Sequence, residues 1–144
     1  MPSSSVCVDA SLVVRLVTEP RNRELQSVWR RWSDDELEPV APTLIYFEVA
    51  NAVYRLEKHG LIKAASANAA LEAALALPVT LVSDHALHHQ AIRLASRFAL
   101  SACYDAHYLA LADRLGVELW TCDAKLAQAV AHQLPWVHLV AADS

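Results

Sequence analysis

Glycine is almost absent from this 144-residue sequence, which contains only Gly60 and Gly116. A phosphate-binding loop of the dinucleotide or P-loop kind needs several glycines close together, because its backbone must approach the phosphates. The two isolated glycines therefore exclude both classes of nucleotide-binding enzyme. Each glycine instead follows a segment with helical periodicity, which predicts that both glycines end helices.

The sequence also shows no cysteine framework, no signal-peptide pattern in its first residues and no long apolar run. The cysteines Cys7, Cys103 and Cys122 are odd in number and have no metal-binding spacing, which favours reduced thiols in a cytoplasmic protein. The first residues, MPSSSV, lack the charged and apolar regions of a signal peptide, so we expect no export. Since no apolar run approaches the ~20 residues that cross a bilayer, we also expect no membrane segment.

Positive charge is not in excess. The chain has 12 Lys and Arg against 16 Asp and Glu, a formal net charge of −4, and no basic tail. This balance argues against a nucleic-acid-binding protein of the broad basic-face type. With 55% hydrophobic residues, a chain of this length is expected to form one globular domain over residues 1–144.

Short apolar segments alternate with longer segments of helical periodicity. Strands are predicted at Val6–Asp9, Glu38–Ala41, Val79–Val82, Glu118–Cys122 and Trp136–Val140. Helices are predicted at Leu12–Trp32, broken near Pro20, and at Leu44–His59, Ile62–Leu77, Asp84–Phe98, Ala102–Leu115 and Ala124–Gln133, with Thr43, Ser83 and Ser101 as N-caps. The alternation predicts an α/β fold of three layers, α/β/α, around a central parallel sheet of about five strands.

Two of the predicted strands end in an aspartate that is followed by alanine. The segments are VCVDASL, residues 6–12, and LWTCDAKL, residues 119–126. A carboxylate at the end of a buried strand costs several kcal/mol unless it is paired or binds a cation. Because ligands bind beyond the carboxyl ends of parallel strands, Asp9 and Asp123 are expected at one edge of the sheet.

Two further acids are expected at the same edge. In PTLIYFEVANAVYRLEKHG, Glu48 lies beside the apolar stripe of a helix, close to its start, with Asn51 and Arg55 at i+3 and i+7. In LSACYDAHYLALADRLG, Asp105 lies early in a mostly apolar helix, as a helix-dipole partner or a ligand. Four carboxylates would repel one another by about 3 kcal/mol per pair at about 5 Å. Lys125 and Arg55 would neutralise one or two of them, whereas a divalent cation would neutralise more, and a set without histidine suits Mg²⁺ or Mn²⁺ better than Zn²⁺.

The segments VCVDASLVVRL, APTLIYFEVANAV and LSACYDAHYLALADRLGVELWTCDAKL together resemble the PIN-domain ribonucleases, most closely the toxins of VapC-type toxin–antitoxin pairs. The order of strand-Asp, helix-Glu, helix-Asp and Thr-x-Asp runs over nearly the whole chain. The resemblance implies a five-stranded parallel α/β/α fold and Mg²⁺- or Mn²⁺-dependent hydrolysis of RNA phosphodiester bonds. It also implies that Asp9, Glu48, Asp105 and Asp123 bind the metal, with Ser11, Asn51 and Thr121 as supporting polar groups.

The same resemblance implies two protein partners, a cognate antitoxin and a second copy of the chain in a homodimer. The alanine-rich segment AASANAALEAALAL either adds apolar surface for such a dimer or packs closely inside the domain. Candidate contacts to RNA phosphates are Arg15, Arg21, Arg23 and Arg55. Candidate contacts to RNA bases are Tyr46, Phe47, Tyr104 and Tyr108.

Three alternative interpretations depend on single features. His85 and His89 have the i, i+4 spacing of helical metal ligands, but no acid follows the first histidine, which favours an exposed helix face. A haloacid-dehalogenase-type phosphatase would need a second acid where Ser11 stands. A catalytically idle interaction module of the same fold would act only by binding a partner, and the presence of all four acids favours the nuclease over it.

Overall fold

The structure, a computed structural model, describes residues 4–140 of the chain. The strands are β1 (Ser5–Val8), β2 (Glu38–Pro42), β3 (Thr80–Val82), β4 (Leu119–Thr121) and β5 (Val137–Leu139). The helices are α1 (Ala10–Thr18), α2 (Arg23–Asp34), α3 (Ile45–Lys58), α4 (Ala64–Leu75), α5 (His85–Arg97), α6 (Tyr104–Leu115) and α7 (Ala124–Val130). Within residues 4–140, none of these helices has the length and apolar character that crossing a bilayer requires.

The five strands form one parallel sheet in the order β3-β2-β1-β4-β5. Strand β1 lies at the centre, where Cys7 pairs with Val40 of β2 and with Leu119 of β4. The predicted five-stranded parallel sheet is therefore confirmed, and each predicted strand agrees with the observed bounds to within one residue. Because β1 and β4 are parallel neighbours, the residues that follow them emerge at the same edge of the sheet.

Helices cover both faces of the sheet, as the three-layer prediction requires. Helices α1, α3 and α4 pack against one another, while α6 packs against α5 and lies against β1, β2 and β4. Right-handed crossovers place these two groups on opposite faces, because the strand order reverses direction after β3. Large side chains that are fully buried, Leu12, Tyr108, Leu109 and Leu111 among them, fill the core.

The alanine-rich helix α4 packs closely inside the domain. Its buried residues are Ala67, Ala70 and Ala74, and it contacts both α1 and α3. Small side chains at this spacing let the helix backbones approach each other. Of the two interpretations of this segment, internal packing is the one that the contacts support.

The three predicted N-caps, Thr43, Ser83 and Ser101, are wrong. Helix α3 starts after Leu44 without a side-chain cap, because the Thr43 N–H donates to the carbonyl of Val82 and ties this residue to strand β3. Helix α5 is capped by the carboxylate of Asp84, a stronger hydrogen-bond acceptor than the neighbouring serine hydroxyl. Helix α6 starts after Cys103, again without a side-chain cap.

Both glycines stand at helix ends, as predicted. Gly116 is the C-cap of α6 with φ 65°, and Gly60 follows the C-cap of α3 with φ 73°. Both dihedral angles lie in the left-handed region, where a residue without Cβ is favoured. Glycine is thus used only where α3 and α6 must stop.

Candidate active site

A cleft at the carboxyl edge of the sheet brings together all four predicted acids. Its volume is about 380 Å³. The residues that line it are Asp9, Ala10, Ser11, Val14, Arg15, Glu48, Asn51, Ala52, Arg55, Asp105, Tyr108 and Asp123. The cleft therefore joins residues from α1, α3 and α6 with two residues that follow strands.

Asp9 follows β1 and is the N-cap of α1. Its Oδ1 accepts hydrogen bonds from the Leu12 N–H at 3.0 Å and the Ser11 hydroxyl at 2.7 Å, and its Oδ2 accepts from the Thr121 hydroxyl at 2.5 Å. The residue is only 3% exposed. Burial, assisted by the charge of Asp105, raises the pKa of Asp9 to about 6, against the lowering effect of these three hydrogen bonds.

Ser11 and Thr121 connect the ends of the two neighbouring strands. The Ser11 hydroxyl accepts from the Cys122 N–H at 2.9 Å, and the Thr121 hydroxyl accepts from the Asp123 N–H at 2.9 Å. Each hydroxyl therefore donates to Asp9 while accepting from the chain beyond β4. Two of the three predicted supporting groups, Ser11 and Thr121, thus fix the position of the Asp9 carboxylate.

Glu48 is oriented by a tyrosine from another helix. The hydroxyl of Tyr108, on α6, donates to Glu48 Oε1 at 2.6 Å. Partial burial raises the pKa of Glu48, and the hydrogen bond from Tyr108 opposes that rise. The geometry leaves Glu48 Oε2 free of this bond, so one oxygen is held while the other can meet a ligand.

Asp105 lies in the first turn of α6. Each of the other three acids accepts at least one hydrogen bond. Within residues 4–140 the Asp105 side chain makes no such hydrogen bond and no salt bridge. Burial, together with the charges of Asp123 and Glu48, raises its pKa to about 6. Asp105 is therefore a partly buried carboxyl group whose charge the protein leaves uncompensated.

Asp123 repeats the capping arrangement of Asp9 on the neighbouring strand. Its Oδ1 accepts from the N–H groups of Lys125 at 3.0 Å and Leu126 at 3.2 Å, which makes it the N-cap of α7. These two bonds fix the carboxylate at the rim of the cleft. The Asp-Ala phrase that occurs twice in the sequence thus encodes two helix N-caps at one sheet edge.

The donor chemistry of the cleft fits a hard divalent cation. All four acids offer carboxylate oxygens, and the raised pKa values of Asp9, Glu48 and Asp105 show that the surrounding protein does not neutralise these three. In the part of the chain that the structure describes, no three Asp, Glu, His or Cys side chains lie as a preformed metal-binding group. Glu48 and Asp123 each have one carboxylate oxygen outside the hydrogen bonds described above. These oxygens are free to move toward an ion, so the carboxylates would come closer together when an ion binds.

The cleft contains two of the four predicted arginines. Arg15 and Arg55 line it, together with the predicted Asn51, whereas Arg21 and Arg23 lie outside its lining. Arg15 Nη1 is 3.2 Å from Glu19 Oε2 one turn later on α1. This ion pair joins one nitrogen of a guanidinium that carries five N–H donors.

The structure separates the four candidate base contacts into two classes. Tyr46 is partly buried and donates to the Ala74 carbonyl at 3.2 Å, and Tyr108 is 1% exposed. Phe47 is 79% exposed and Tyr104 is 63% exposed. Tyr108 thus belongs to the framework of the acids, and Phe47 and Tyr104 are the aromatic rings that solvent and a ligand can reach.

The histidines and cysteines take no part in the cleft. His85 and His89 lie on the exposed face of α5, as the sequence favoured, while His88 Nδ1 lies 2.9 Å from His107 Nε2 on α6. The thiols of Cys7 and Cys122 are free and buried. Burial raises the pKa of Cys122 to about 12, so this thiol stays protonated and is not a nucleophile.

Sequence reasoning found the acids and missed the partner of Glu48. The sequence placed Tyr108 among the candidate base contacts, and only the packing of α6 shows that its hydroxyl reaches a residue sixty positions earlier. A tyrosine in the middle of an otherwise aliphatic and alanine-rich helix was the available signal, because a buried tyrosine needs a hydrogen-bond partner.

Comparison with known proteins gives one family match and several relatives. The model of the PIN domain family matches residues 6–131. The chain is 33% identical over 128 residues to Ribonuclease VapC3 from Mycobacterium tuberculosis, in both strain CDC 1551 and strain H37Rv, an alignment that covers 89% of each protein.

Solved structures show the same fold. PAE2754 from Pyrobaculum aerophilum superposes with a TM-score of 0.65 at 22% identity, over 89% of this chain and 86% of the other. The sarcin-ricin loop cleaving toxin VapC20 from Mycobacterium tuberculosis superposes with a TM-score of 0.62 at 18% identity, over 86% of this chain and 94% of the other.

Proposed function

This chain belongs to the PIN-domain family, and from that premise and its acidic cleft we propose that it is a metal-dependent endoribonuclease. The reaction is hydrolysis of an RNA phosphodiester bond. We further propose that the protein is the toxin of a toxin–antitoxin pair, a role supported by its 33% identity to a VapC ribonuclease over most of both chains.

One observation of the structure carries the nuclease proposal. Four carboxylates line one cleft, and the pKa values of Asp9 and Asp105 are each raised to about 6. An interaction module would need its partner to supply the cations for these carboxylates, since like charges that stay unneutralised destabilise the fold. Raised carboxyl pKa values in a cleft are the mark of a functional site.

Asp9, Glu48 and Asp105 would hold Mg²⁺ or Mn²⁺, and Asp123 would hold a second ion or a hydration shell. When bound, such an ion lowers the pKa of water and offsets negative charge on the phosphoryl oxygens. Within the cleft, the hydroxyls of Ser11 and Thr121 hold Asp9 in place.

The remaining polar residues of the cleft serve the substrate. Arg15 and Arg55 lie where they can contact phosphates on either side of the scissile bond, which fixes the position of the strand. Asn51, one turn from Glu48 on α3, offers a neutral donor and acceptor in the same cleft. The exposed rings of Phe47 and Tyr104 directly precede Glu48 and Asp105, and they offer faces for unpaired bases.

We propose an antitoxin and a second copy of the chain as protein partners. Several large apolar side chains are exposed, such as Phe47 at 79%, Leu61 at 71% and Ile92 at 62%, and protein partners would cover surface of this kind. A cytoplasmic location, where RNA is available and free thiols stay reduced, completes the proposal.

The function is tested by incubating the purified protein with a pool of single-stranded and structured RNAs in Mg²⁺, Mn²⁺ or EDTA. We expect internal cleavage with either metal and none in EDTA. The matched variants are Asp105→Asn and Asp113→Asn, which change the same residue type on the same helix, inside and outside the acidic cleft. Asp105→Asn should abolish cleavage and Asp113→Asn should leave it unchanged.

Two results would contradict the proposal. Cleavage that persists in EDTA would show that the reaction does not need a metal ion. Equal activity of the two aspartate variants would show that the acidic cleft is not the site of RNA cleavage. Intact folding of each variant, checked by circular dichroism, makes a loss of activity interpretable.

A further inference from the structure

A second cavity adjoins the acidic cleft. Its volume is about 520 Å³, and its lining residues are Ser11, Arg15, Cys122, Asp123, Ala124, Lys125 and Leu139. Three of these, Ser11, Arg15 and Asp123, also line the acidic cleft. A strand that leaves the acidic cleft on the Asp123 side therefore enters this cavity, which we call the side cavity.

The charge of the lining changes sign between the two spaces. The acidic cleft combines four carboxylates with two arginines. The side cavity combines one carboxylate, Asp123, with two cations, Arg15 and Lys125. A phosphate group is therefore repelled over the acids and attracted in the side cavity, and Coulomb attraction acts at close range there.

The carboxylate of the side cavity is already engaged by the chain. Asp123 Oδ1 accepts hydrogen bonds from the backbone N–H groups of Lys125 and Leu126. The Lys125 ammonium group takes no part in these two bonds and can move on its flexible side chain. The Lys125 residue is exposed. Arg15 is joined to Glu19 through one nitrogen only, with side chains 35% and 30% exposed, so solvent weakens that ion pair and a phosphate can compete for the guanidinium.

Apart from Ser11, whose hydroxyl donates to Asp9, the rest of the side cavity lining is apolar. Leu139, at the end of the edge strand β5, is 43% exposed, and Cys122 and Ala124 complete the apolar lining. An exposed leucine beside two cations matches the two parts of a nucleotide, whose base is flat and apolar on its faces and whose phosphate is anionic. A site for inorganic phosphate alone would not use an apolar wall.

We propose that the side cavity is a nucleotide subsite that binds the substrate nucleotide adjacent to the scissile phosphate. Lys125 and Arg15 contact its phosphate, and Leu139 packs against its base. This assignment rests on the proposed ribonuclease function for the identity of the substrate. It makes Lys125 a substrate-positioning residue and places the path of the RNA between Arg55 at one end and Lys125 at the other.

The experiment measures RNA binding separately from cleavage. The Asp105→Asn protein, which should not cleave, is titrated into a fluorescently end-labelled single-stranded RNA pool at several salt concentrations, and polarisation is recorded. Adding Lys125→Ala should weaken binding roughly fivefold and lower the salt slope by about one, as expected for the loss of one phosphate contact. Adding Lys63→Ala, which removes an exposed lysine at the start of α4, should change neither.

A Leu139→Asp substitution tests the apolar wall. It should weaken binding at every salt concentration, since it places a negative charge where a base packs, whereas Leu139→Met should bind like the parent protein. If Lys125→Ala and Lys63→Ala bind RNA equally well, or if the pool does not bind at all, the subsite is overturned.

The outcome is separable from the nuclease proposal. RNA binding that depends on Lys125, found together with a wild-type protein that cleaves no RNA, would retain the subsite and refute the ribonuclease. Metal-dependent cleavage with no effect of Lys125→Ala on binding or on KM would retain the ribonuclease and refute the subsite.

Discussion

At the scale of single residues, Asp9 shows how one side chain serves the fold and the site together. Its carboxylate caps α1 and receives two hydroxyl groups, yet it remains a buried charge whose pKa is raised to about 6. Because burial disfavours the charge, the fold would be more stable with the Asp9 carboxyl group protonated than with it ionised. The ionised form at neutral pH is what a cation requires.

The raised pKa of Asp9 predicts how stability depends on pH when EDTA keeps the protein metal-free. Asp9 has a pKa of about 6 in the folded state against an ordinary value of 3.8. The stabilisation from its protonated form is therefore complete below the unfolded-state pKa and is lost as pH rises through the folded-state pKa. Metal-free protein should thus be more stable at pH 5 than at pH 8. Asp9→Asn, which keeps the capping oxygen, should reduce this dependence, with Asp105 and Glu48 supplying the remainder, and should raise the free energy of unfolding at pH 8 by about 1 to 3 kcal/mol.

Urea denaturation in EDTA at both pH values measures the effect. The control is Asp113→Asn, since this residue is exposed and lies outside the acidic cleft. An Asp9→Asn protein that is less stable than the wild type at pH 8 would show that the charge of Asp9 is compensated within the fold.

The bond between Tyr108 and Glu48 predicts a loss of metal binding on Tyr108→Phe. Without the hydroxyl donor at 2.6 Å, Glu48 loses the group that orients it and lowers its pKa. Mg²⁺ or Mn²⁺ should raise the melting temperature of the wild type, because a ligand that binds only the folded state stabilises it, and Tyr108→Phe should reduce that rise. Asp9→Asn should reduce it as well.

Differential scanning fluorimetry with increasing metal measures these shifts. Tyr46→Phe is the matched control, because it removes a hydroxyl that donates to the Ala74 carbonyl on α4, outside the cleft lining. Equal metal-induced shifts in the two tyrosine variants would exclude a role for Tyr108 in holding Glu48.

At the scale of helices and strands, the sequence determined the architecture better than the helix ends. Alternating apolar and helical segments predicted all five strands and the break near Pro20, since burial on both faces of a parallel sheet leaves a strong pattern. Two of the predicted caps failed because α3 and α6 start without any side-chain cap. Asp84 replaced the predicted Ser83, and Asn22, which caps α2, was not predicted at all.

The sequence predicted those residues of the candidate site whose positions follow directly from the predicted strands and helices. Strand ends placed Asp9 and Asp123, and helix starts placed Glu48 and Asp105, because each position follows from local pattern. The Tyr108 hydroxyl bond and the side cavity beside Lys125 depend on side chains that meet across α3, α6, α7 and β5. Such contacts leave no periodic trace in a single sequence.

The end of α6 predicts a measurable cost for Gly116→Ala. The glycine has φ 65°, and an added Cβ would meet no atom within 4 Å, so the cost is that of the left-handed backbone alone. The free energy of unfolding should fall by about 1 kcal/mol. Gly116→Asn should lose less, because asparagine tolerates this conformation, and urea denaturation compares the three proteins. Equal stability of the alanine variant and the wild type would show that the helix end relaxes to another conformation.

At the scale of the whole molecule, the net charge of −4 has to be reconciled with an RNA substrate. In the proposed function, a divalent cation would supply positive charge where the acids are, and Arg55, Arg15 and Lys125, which line the two cavities, would supply it along the proposed path of the strand. No broad basic face is then needed. RNA binding should accordingly depend on the metal as well as on salt.

The exposed apolar side chains predict self-association. Large apolar side chains are exposed on α3, after it and on α5, namely Phe47, Tyr54, Leu61 and Ile92. A second copy of the chain that covered them would remove their apolar area from water. Light scattering should give about twice the chain mass of 15.8 kDa at micromolar concentration. A mass of 15.8 kDa at every concentration would show that the chain is a monomer and would contradict the proposed homodimer.

The claim that the acids act as one metal-holding unit is tested most directly by the cleavage rates of single and double variants. With Mg²⁺ and one RNA substrate, Asp9→Asn and Asp105→Asn should each lower the rate at least about 100-fold, and the double variant should be little slower than either, because residues that work as a unit are non-additive. A double variant whose loss equals the product of the two single losses would contradict a shared ion. Full activity of either single variant would contradict the acidic cleft as the site of RNA hydrolysis.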